Sequence, residues 1–177
     1  MEQTFVMLKP DALNRSLIGK VVSRFEEKGL KLAALKMVKL SEKLCDEHYA
    51  HHASKSFYPR LKEFMTAYPV VCAVLEGKNA VEVVRKLCGA TNSRDADPGT
   101  IRGDFGMSVQ SNLIHASDSL ETAYTEIERF FSEEELMDYE TSFFTLQYAD
   151  DEKASREKII GRPRKTRSDQ KPPKEIA

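Results

Sequence analysis

Apolar and polar residues follow two periods along this chain, and the switches between them lay out its elements. Thr4 to Leu8 is a short apolar run that stops at Lys9 and Pro10, which reads as a buried strand entering a loop. Ile18, Val21, Val22 and Phe25 fall at i, i+3, i+4 and i+7, one face of a helix, and Gly29 can end it in the left-handed conformation. Leu30 to Leu40 is a lysine-punctuated apolar stretch of strand length with imperfect alternation. Ser41 can then N-cap a helix carrying Cys45, His48 and Tyr49. Val70 to Leu75 is continuously apolar, as a central strand requires. Ala80, Val83, Val84 and Leu87 mark another helical face, stopped near Gly89.

From Thr91 to Ser111 no period holds, and Asn, Asp, Pro and Gly recur. That predicts a long loop, and a loop of such length in a compact domain is usually functional. Leu113 to His115 is a brief strand. Asp118 with Glu121 makes a capping box for a helix whose apolar positions are Leu120, Ala123, Tyr124, Ile127 and Phe131, and Ser132 with Glu135 opens another short helix. The order is β-α-β-α-β-α-loop-β-α. It predicts an α+β fold: a ferredoxin-like βαββαβ core, an antiparallel sheet with helices on one face, plus the long loop before the last strand.

The length of 177 residues allows one domain with a genuine core, and 41% hydrophobic and 31% charged residues are ordinary for a soluble globular chain. A formal net charge of −1 selects no class of partner. The three cysteines, Cys45, Cys72 and Cys88, are odd in number and lack metal-ligand spacing, so buried free thiols in a reducing compartment are expected. The start Met-Glu-Gln-Thr shows no basic region leading into an apolar one, and no run approaches the roughly 20 apolar residues of a membrane helix. The expectation is a soluble cytoplasmic protein with no membrane partner.

The chain divides into a catalytic domain over 1–149 and a basic tail over 150–177. The tail holds Lys153, Arg156, Lys158, Arg162, Arg164, Lys165, Arg167, Lys171 and Lys174, and little apolar beyond Ile159 and Ile160. Such a stretch buries too little surface to offset its ordering entropy, which predicts a disordered, mobile segment. Within it, Gly161 to Lys165 is similar to the core of minor-groove-binding AT-hook peptides, though Ile160 stands where an arginine is needed. A solvated tail, or one docked on a neighbouring subunit, is the commoner reading. Any nucleic-acid contact through it would be weak, electrostatic and salt-sensitive.

The chemistry concentrates around His115, at the end of a short apolar strand and followed by Ala116, Ser117 and Asp118. Glu126 stands eleven residues on, and Lys9, Arg85 and Arg102 supply cations from remote parts of the chain. One histidine, one orienting carboxylate and several cations suit phosphoryl transfer through a phosphohistidine, because an imidazole nitrogen is a competent nucleophile at neutral pH. His48, His51 and His52 also share one helical face, which would suit a metal-dependent phosphohydrolase. No nearby acid completes that set, and a polar helix surface is the commoner reason for it.

Asn112, His115, Ala116, Ser117 and Asp118, in the order Asn-x-x-His-Ala-Ser-Asp, resemble the active-site signature of the nucleoside diphosphate kinases. Thr4 to Asp11, Glu47 to Tyr49, Val83 to Asn92 and Pro98 to Phe105 resemble further blocks of that family in its order, and the likeness runs from about Thr4 to Tyr148. The resemblance implies the ferredoxin-like fold, ATP and nucleoside or deoxynucleoside diphosphates as substrates, and a homo-oligomer, hexamer or tetramer. It implies His115 as the nucleophile through Nδ1, with Glu126 holding Nε2. It places Lys9, Arg85, Arg102, Thr91, His48 and Tyr49 around phosphates, Lys9 and Asn112 at sugar hydroxyls, and Phe57 and Val109 on either side of the base. Mg²⁺ would bridge the phosphates with few or no protein ligands. A catalytically silent scaffold of the same fold is the reading of another class. Ser93 departs from a proline common at its position, in a loop the resemblance places at a subunit contact.

Overall fold

The computed structural model describes residues 1–141 and 144–153. Its elements are β1 (Glu2–Leu8), α1 (Pro10–Asn14), α2 (Ile18–Glu27), β2 (Lys31–Val38), α3 (Glu42–His48), α4 (Tyr58–Ala67), β3 (Val70–Gly77), α5 (Ala80–Cys88), α6 (Ile101–Phe105), β4 (Ile114–Ala116), α7 (Leu120–Phe130), α8 (Phe144–Gln147) and α9 (Asp150–Lys153). Strands run β2-β3-β1-β4, every neighbouring pair antiparallel. With α2 and α5 as the crossovers, this is the expected βαββαβ arrangement.

The sheet is covered on both faces, which corrects the expectation of helices on one. Val6, Leu8, Val71, Ala73 and Leu75 pack with Val21 and Phe25 of α2 and with Ala80, Val84 and Cys88 of α5. The alternate positions Phe5, Met7, Val70, Cys72 and Val74 pack on the other side with Cys45, Leu61, Met65, Ile127 and Phe130, from α3, α4 and α7. Side chains alternate across a strand, and β1 and β3 are apolar at both phases, so neither face can be left to water. The second layer is what carries functional side chains to the sheet.

Local chemistry sets the ends of these elements. After α2, Gly29 adopts φ 91°; its N–H donates to Glu26 O at 2.8 Å and that of Leu30 to Phe25 O at 3.0 Å, the Schellman pattern. Ser41 caps α3 as expected, accepting from Leu44 N at 3.1 Å. The cap of α7 is Ser119, accepting from Thr122 N at 3.1 Å, and not Asp118. Ser132 and Glu135 do form a capping box, on a single 3-10 turn.

The segment from Thr91 to Ser111 is not a continuous loop: it holds a 3-10 turn over Ser93–Asp95 and the helix α6, N-capped by Thr100. Five residues are too few for a helical period to show. The same holds for α1, whose start is marked only by Pro10 at its first position. All three cysteines are buried and free. No helix of the described residues is long and apolar enough to cross a membrane. Of the expected tail, Asp150–Lys153 form α9, with Lys78 paired to Glu152 at 3.2 Å. Residues 154–177, and with them the disorder and nucleic-acid expectations, lie outside the described residues.

Candidate active site

β4 is three residues long and pairs with Val6, Met7 and Leu8 of β1. Ile114 and Ala116 turn to the layer of α2 and α5, so His115 between them points to the opposite layer. There α7 presents a buried face of Ala123, Glu126, Ile127 and Phe130, and α3 presents Cys45 and His48. A carboxylate on an otherwise apolar helix face is costly without partners. Glu126 has them: His115 Nε2 lies 2.8 Å from Oε1, and Ser117 Oγ donates to Oε2 at 2.6 Å. With both oxygens accepting, the imidazole proton sits on Nε2. The lone pair of Nδ1 stays uncommitted among the described residues, on a side chain 20% exposed.

His48 packs edge-on against His115, ring centroids 4.7 Å apart, with Phe5, Tyr49 and Phe130 around it. Burial, then the neighbouring His115, hold its imidazole down at about 2, so it is neutral at any working pH. Arg129 NH1 approaches His48 Nδ1 at 3.5 Å. A guanidinium can only donate, which leaves the His48 proton on a buried Nε2 without a partner. The Tyr49 hydroxyl is likewise buried and unpartnered, and burial pushes its ionisation up. The Tyr49 ring lies 6.2 Å from that of His115, nearly perpendicular to it.

Lys9, Asn112 and Arg102 form a buried latch. Lys9 Nζ donates to Asn112 Oδ1 at 2.6 Å, and Asn112 Nδ2 donates to Thr91 O at 2.8 Å. Arg102 spends Nε, NH1 and NH2 on the carbonyls of Asn112, Gly89 and Ile114, at 3.3, 2.7 and 2.6 Å. Three of a guanidinium's five N–H groups are thus engaged, two bracing the segment before His115 and one tying it to the end of α5. Burial, then the charge of Arg102, lower the Lys9 ammonium to about 8, with Asp11 opposing.

The remaining candidates sit further out. Phe57 and Val109 are exposed, at 44% and 52%. Arg85 is exposed on α5 and lines a cleft of about 910 Å³ with Gly89, Thr100 and Asp118, which neither His115 nor Glu126 lines. Thr91 is exposed and joins the latch through its carbonyl.

His48, His51 and His52 do not assemble as a metal set. Among the described residues the candidate ligand group is His48, His115 and Glu126, within 4.8 Å of one another. Arg129 approaches His48 Nδ1, and Ser117 and His115 Nε2 take the Glu126 oxygens, which leaves the group one uncommitted lone pair, on His115 Nδ1, and makes it a poor cage for an ion. Ser117 and Arg129 add to the residues that the sequence singles out. Ser117 was detectable, since it stands two residues after His115 and so on the same side of the strand.

The description "Nucleoside diphosphate kinase" fits residues 2–136 as a family match. The chain is 53% identical over 152 residues to a protein of that name from Parabacteroides distasonis, covering 86% of this chain and 99% of the relative. It is 51% identical over 140 residues to one from Archaeoglobus fulgidus, covering 79% and 93%. Among solved structures it is similar to a halophilic nucleoside diphosphate kinase from Halobacterium salinarum in complex with CDP. That match has 45% identity, a TM-score of 0.82, and covers 84% of this chain and 99% of the other. A family protein from Babesia bovis matches with 40% identity and a TM-score of 0.81, covering 84% and 100%.

Proposed function

The chain belongs to the nucleoside diphosphate kinase family, phosphotransferases of nucleotide metabolism, and from that premise we propose a ping-pong mechanism through His115. The observation that carries it is the 2.8 Å contact between His115 Nε2 and Glu126. It fixes the tautomer so that Nδ1 offers its lone pair outward. In the first half-reaction Nδ1 attacks the γ-phosphorus of ATP, the bond to the β–γ bridging oxygen breaks, and ADP leaves with that electron pair. The Nε2 proton stays in place, and Glu126 stabilises the positive charge arriving on the ring. In the second half, a terminal oxygen of a nucleoside or deoxynucleoside diphosphate takes the phosphoryl group and returns Nδ1 to its lone pair.

Lys9, Arg85, Arg102, Tyr49 and Thr91 gather the phosphates, with His48 as a neutral wall behind the imidazole. Lys9 and Asn112 hold the sugar hydroxyls. Phe57 and Val109 sandwich the base by stacking, which tolerates purine and pyrimidine alike. The solved structure of the Halobacterium relative is a complex with CDP, which supports a nucleotide site of this kind. Family members use a divalent metal. Mg²⁺ would be carried by the nucleotide's phosphates and would supply charge neutralisation there, since a nitrogen-rich group already hydrogen-bonded does not suit a hard ion that prefers oxygen and keeps its waters.

The domain comprises residues 1–149, and three buried free thiols support a reducing, cytoplasmic setting. The exposed edge of β2 carries Leu35 and Met37, 48% and 61% exposed, which supports a homo-oligomer built through that edge. The test of the mechanism is incubation with ATP labelled in its γ-phosphate. The wild-type chain should retain an acid-labile, alkali-stable label that any nucleoside diphosphate discharges, and His115→Ala should retain none. Turnover by a folded His115→Ala protein would dispose of the mechanism.

A further inference from the structure

Leu113 has φ 71°, in the left-handed region, and is fully buried. The other non-glycine residues with positive φ among the described ones are Ser16 and Asn79, and asparagine adopts it more readily than leucine. A leucine stays in such a conformation only where its surroundings over-determine it. Here they do. The Leu113 N–H donates to Asp11 Oδ2 at 3.0 Å, and its carbonyl accepts from Lys9 N at 2.8 Å. The carbonyls on either side, of Asn112 and Ile114, both accept from Arg102.

Asp11 is the one side chain in this set that holds the N–H of the strained residue itself. It is the second residue of α1, so the start of that helix and the kink are joined at two points, across 102 positions of sequence. On one side of the kink is Asn112, carrying Lys9 Nζ; two residues beyond it on the other is His115. We propose that Asp11 is a positioning residue: through the kink at Leu113 it sets the spacing between the Lys9–Asn112 pair and Nδ1 of His115. The inference rests on His115 as the nucleophile, and it gives the aspartate of the Lys9-Pro10-Asp11 run a task in the reaction without touching substrate.

Two conservative variants separate position from charge. Asp11→Asn keeps a side-chain oxygen that can accept from Leu113 N–H and removes the charge. Asp11→Glu keeps the charge and displaces the acceptor by one methylene. Single-turnover phosphorylation by saturating ATP, with KM and the pH profile, is measured on both. Asp11→Asn should phosphorylate at near the wild-type rate, with the alkaline limb of kcat/KM moved to lower pH because Asp11 no longer supports the Lys9 charge. Asp11→Glu should lose about tenfold to a hundredfold in rate, the scale of a small misplacement, with KM little changed. The proposal is overturned if both variants match the wild type, if both slow equally, or if Asp11→Glu is the faster. Absence of label on the wild-type chain would instead remove His115 as nucleophile, so the two failures are distinguishable.

Discussion

At the scale of single residues, the account turns on Glu126 having two different partners for its two oxygens. Glu126→Gln still offers one oxygen to His115 Nε2 but no charge to stabilise the phosphorylated ring. Its rate of phosphoenzyme formation should fall by about tenfold to a thousandfold, with the fold retained. Ser117→Ala removes the 2.6 Å donor and strands a buried carboxylate oxygen. A loss of about 1–3 kcal/mol in urea denaturation is expected, with a smaller loss of rate than Glu126→Gln shows. A Ser117→Ala protein as stable as wild type would mean that the oxygen finds another donor. On the proposed mechanism, Lys9 sets the pH response. Its ammonium in the free enzyme is held at about 8, so positive charge facing the phosphates is lost as pH rises through that value. Bound phosphates favour the charged form, so the loss belongs to the free enzyme: kcat/KM should drop above about pH 8 while kcat changes little. A flat kcat/KM profile to pH 9.5 would contradict the buried, perturbed lysine.

At the scale of elements, what the chain announces depends on length and period. The faces of α2, α5 and α7 were legible because ten or so residues repeat a 3.6 period around Val21 and Phe25, Val84 and Ile127. The strands β1 and β3 were legible as apolar runs; the second helical layer went against the expectation of helices on one face, although Phe5 and Met7 alternating with Val6 and Leu8 leave both faces of β1 apolar. α1 and α6 were not, being a single turn or so each. The kink at Leu113 was hidden because a leucine gives no sign of left-handed backbone; only its tertiary partners create it. His115 and Glu126 were readable together, and the spacing of Ser117 from His115 put it on the same side, but Arg129 became a functional candidate only once α7 faced α3.

Ser93 tests the same level. It is the first residue of its 3-10 turn, its Oγ is buried without a partner, and Asn92 before it is extended at φ −79°, ψ 110°. Proline is favoured in such a first position, and the residue before it has the conformation proline requires. Ser93→Pro should therefore raise stability by about 0.5–1 kcal/mol in equilibrium denaturation. A loss instead would show that the turn needs the Ser93 N–H.

At the scale of the whole molecule, the proposed assembly rests on the β2 edge of the sheet. Segment 137–139 covers the near end of β2, with Met137 N donating to Ala33 O at 2.8 Å and the Tyr139 hydroxyl to Leu32 O at 2.8 Å. Beyond them Leu35 and Met37 stay exposed on one side of the strand. Replacing both by lysine should leave a folded subunit and lower the sedimenting mass; an unchanged assembly would place the contact elsewhere. The central claim is that Glu126 takes Nε2 and thereby leaves Nδ1 to react, and it is tested most directly on the phosphoenzyme itself. With ¹⁵N-labelled histidine and ATP as donor, NMR of the trapped intermediate should show phosphorus coupled to Nδ1 of His115, with Nε2 still protonated. Coupling to Nε2, or phosphate on another residue, would contradict it.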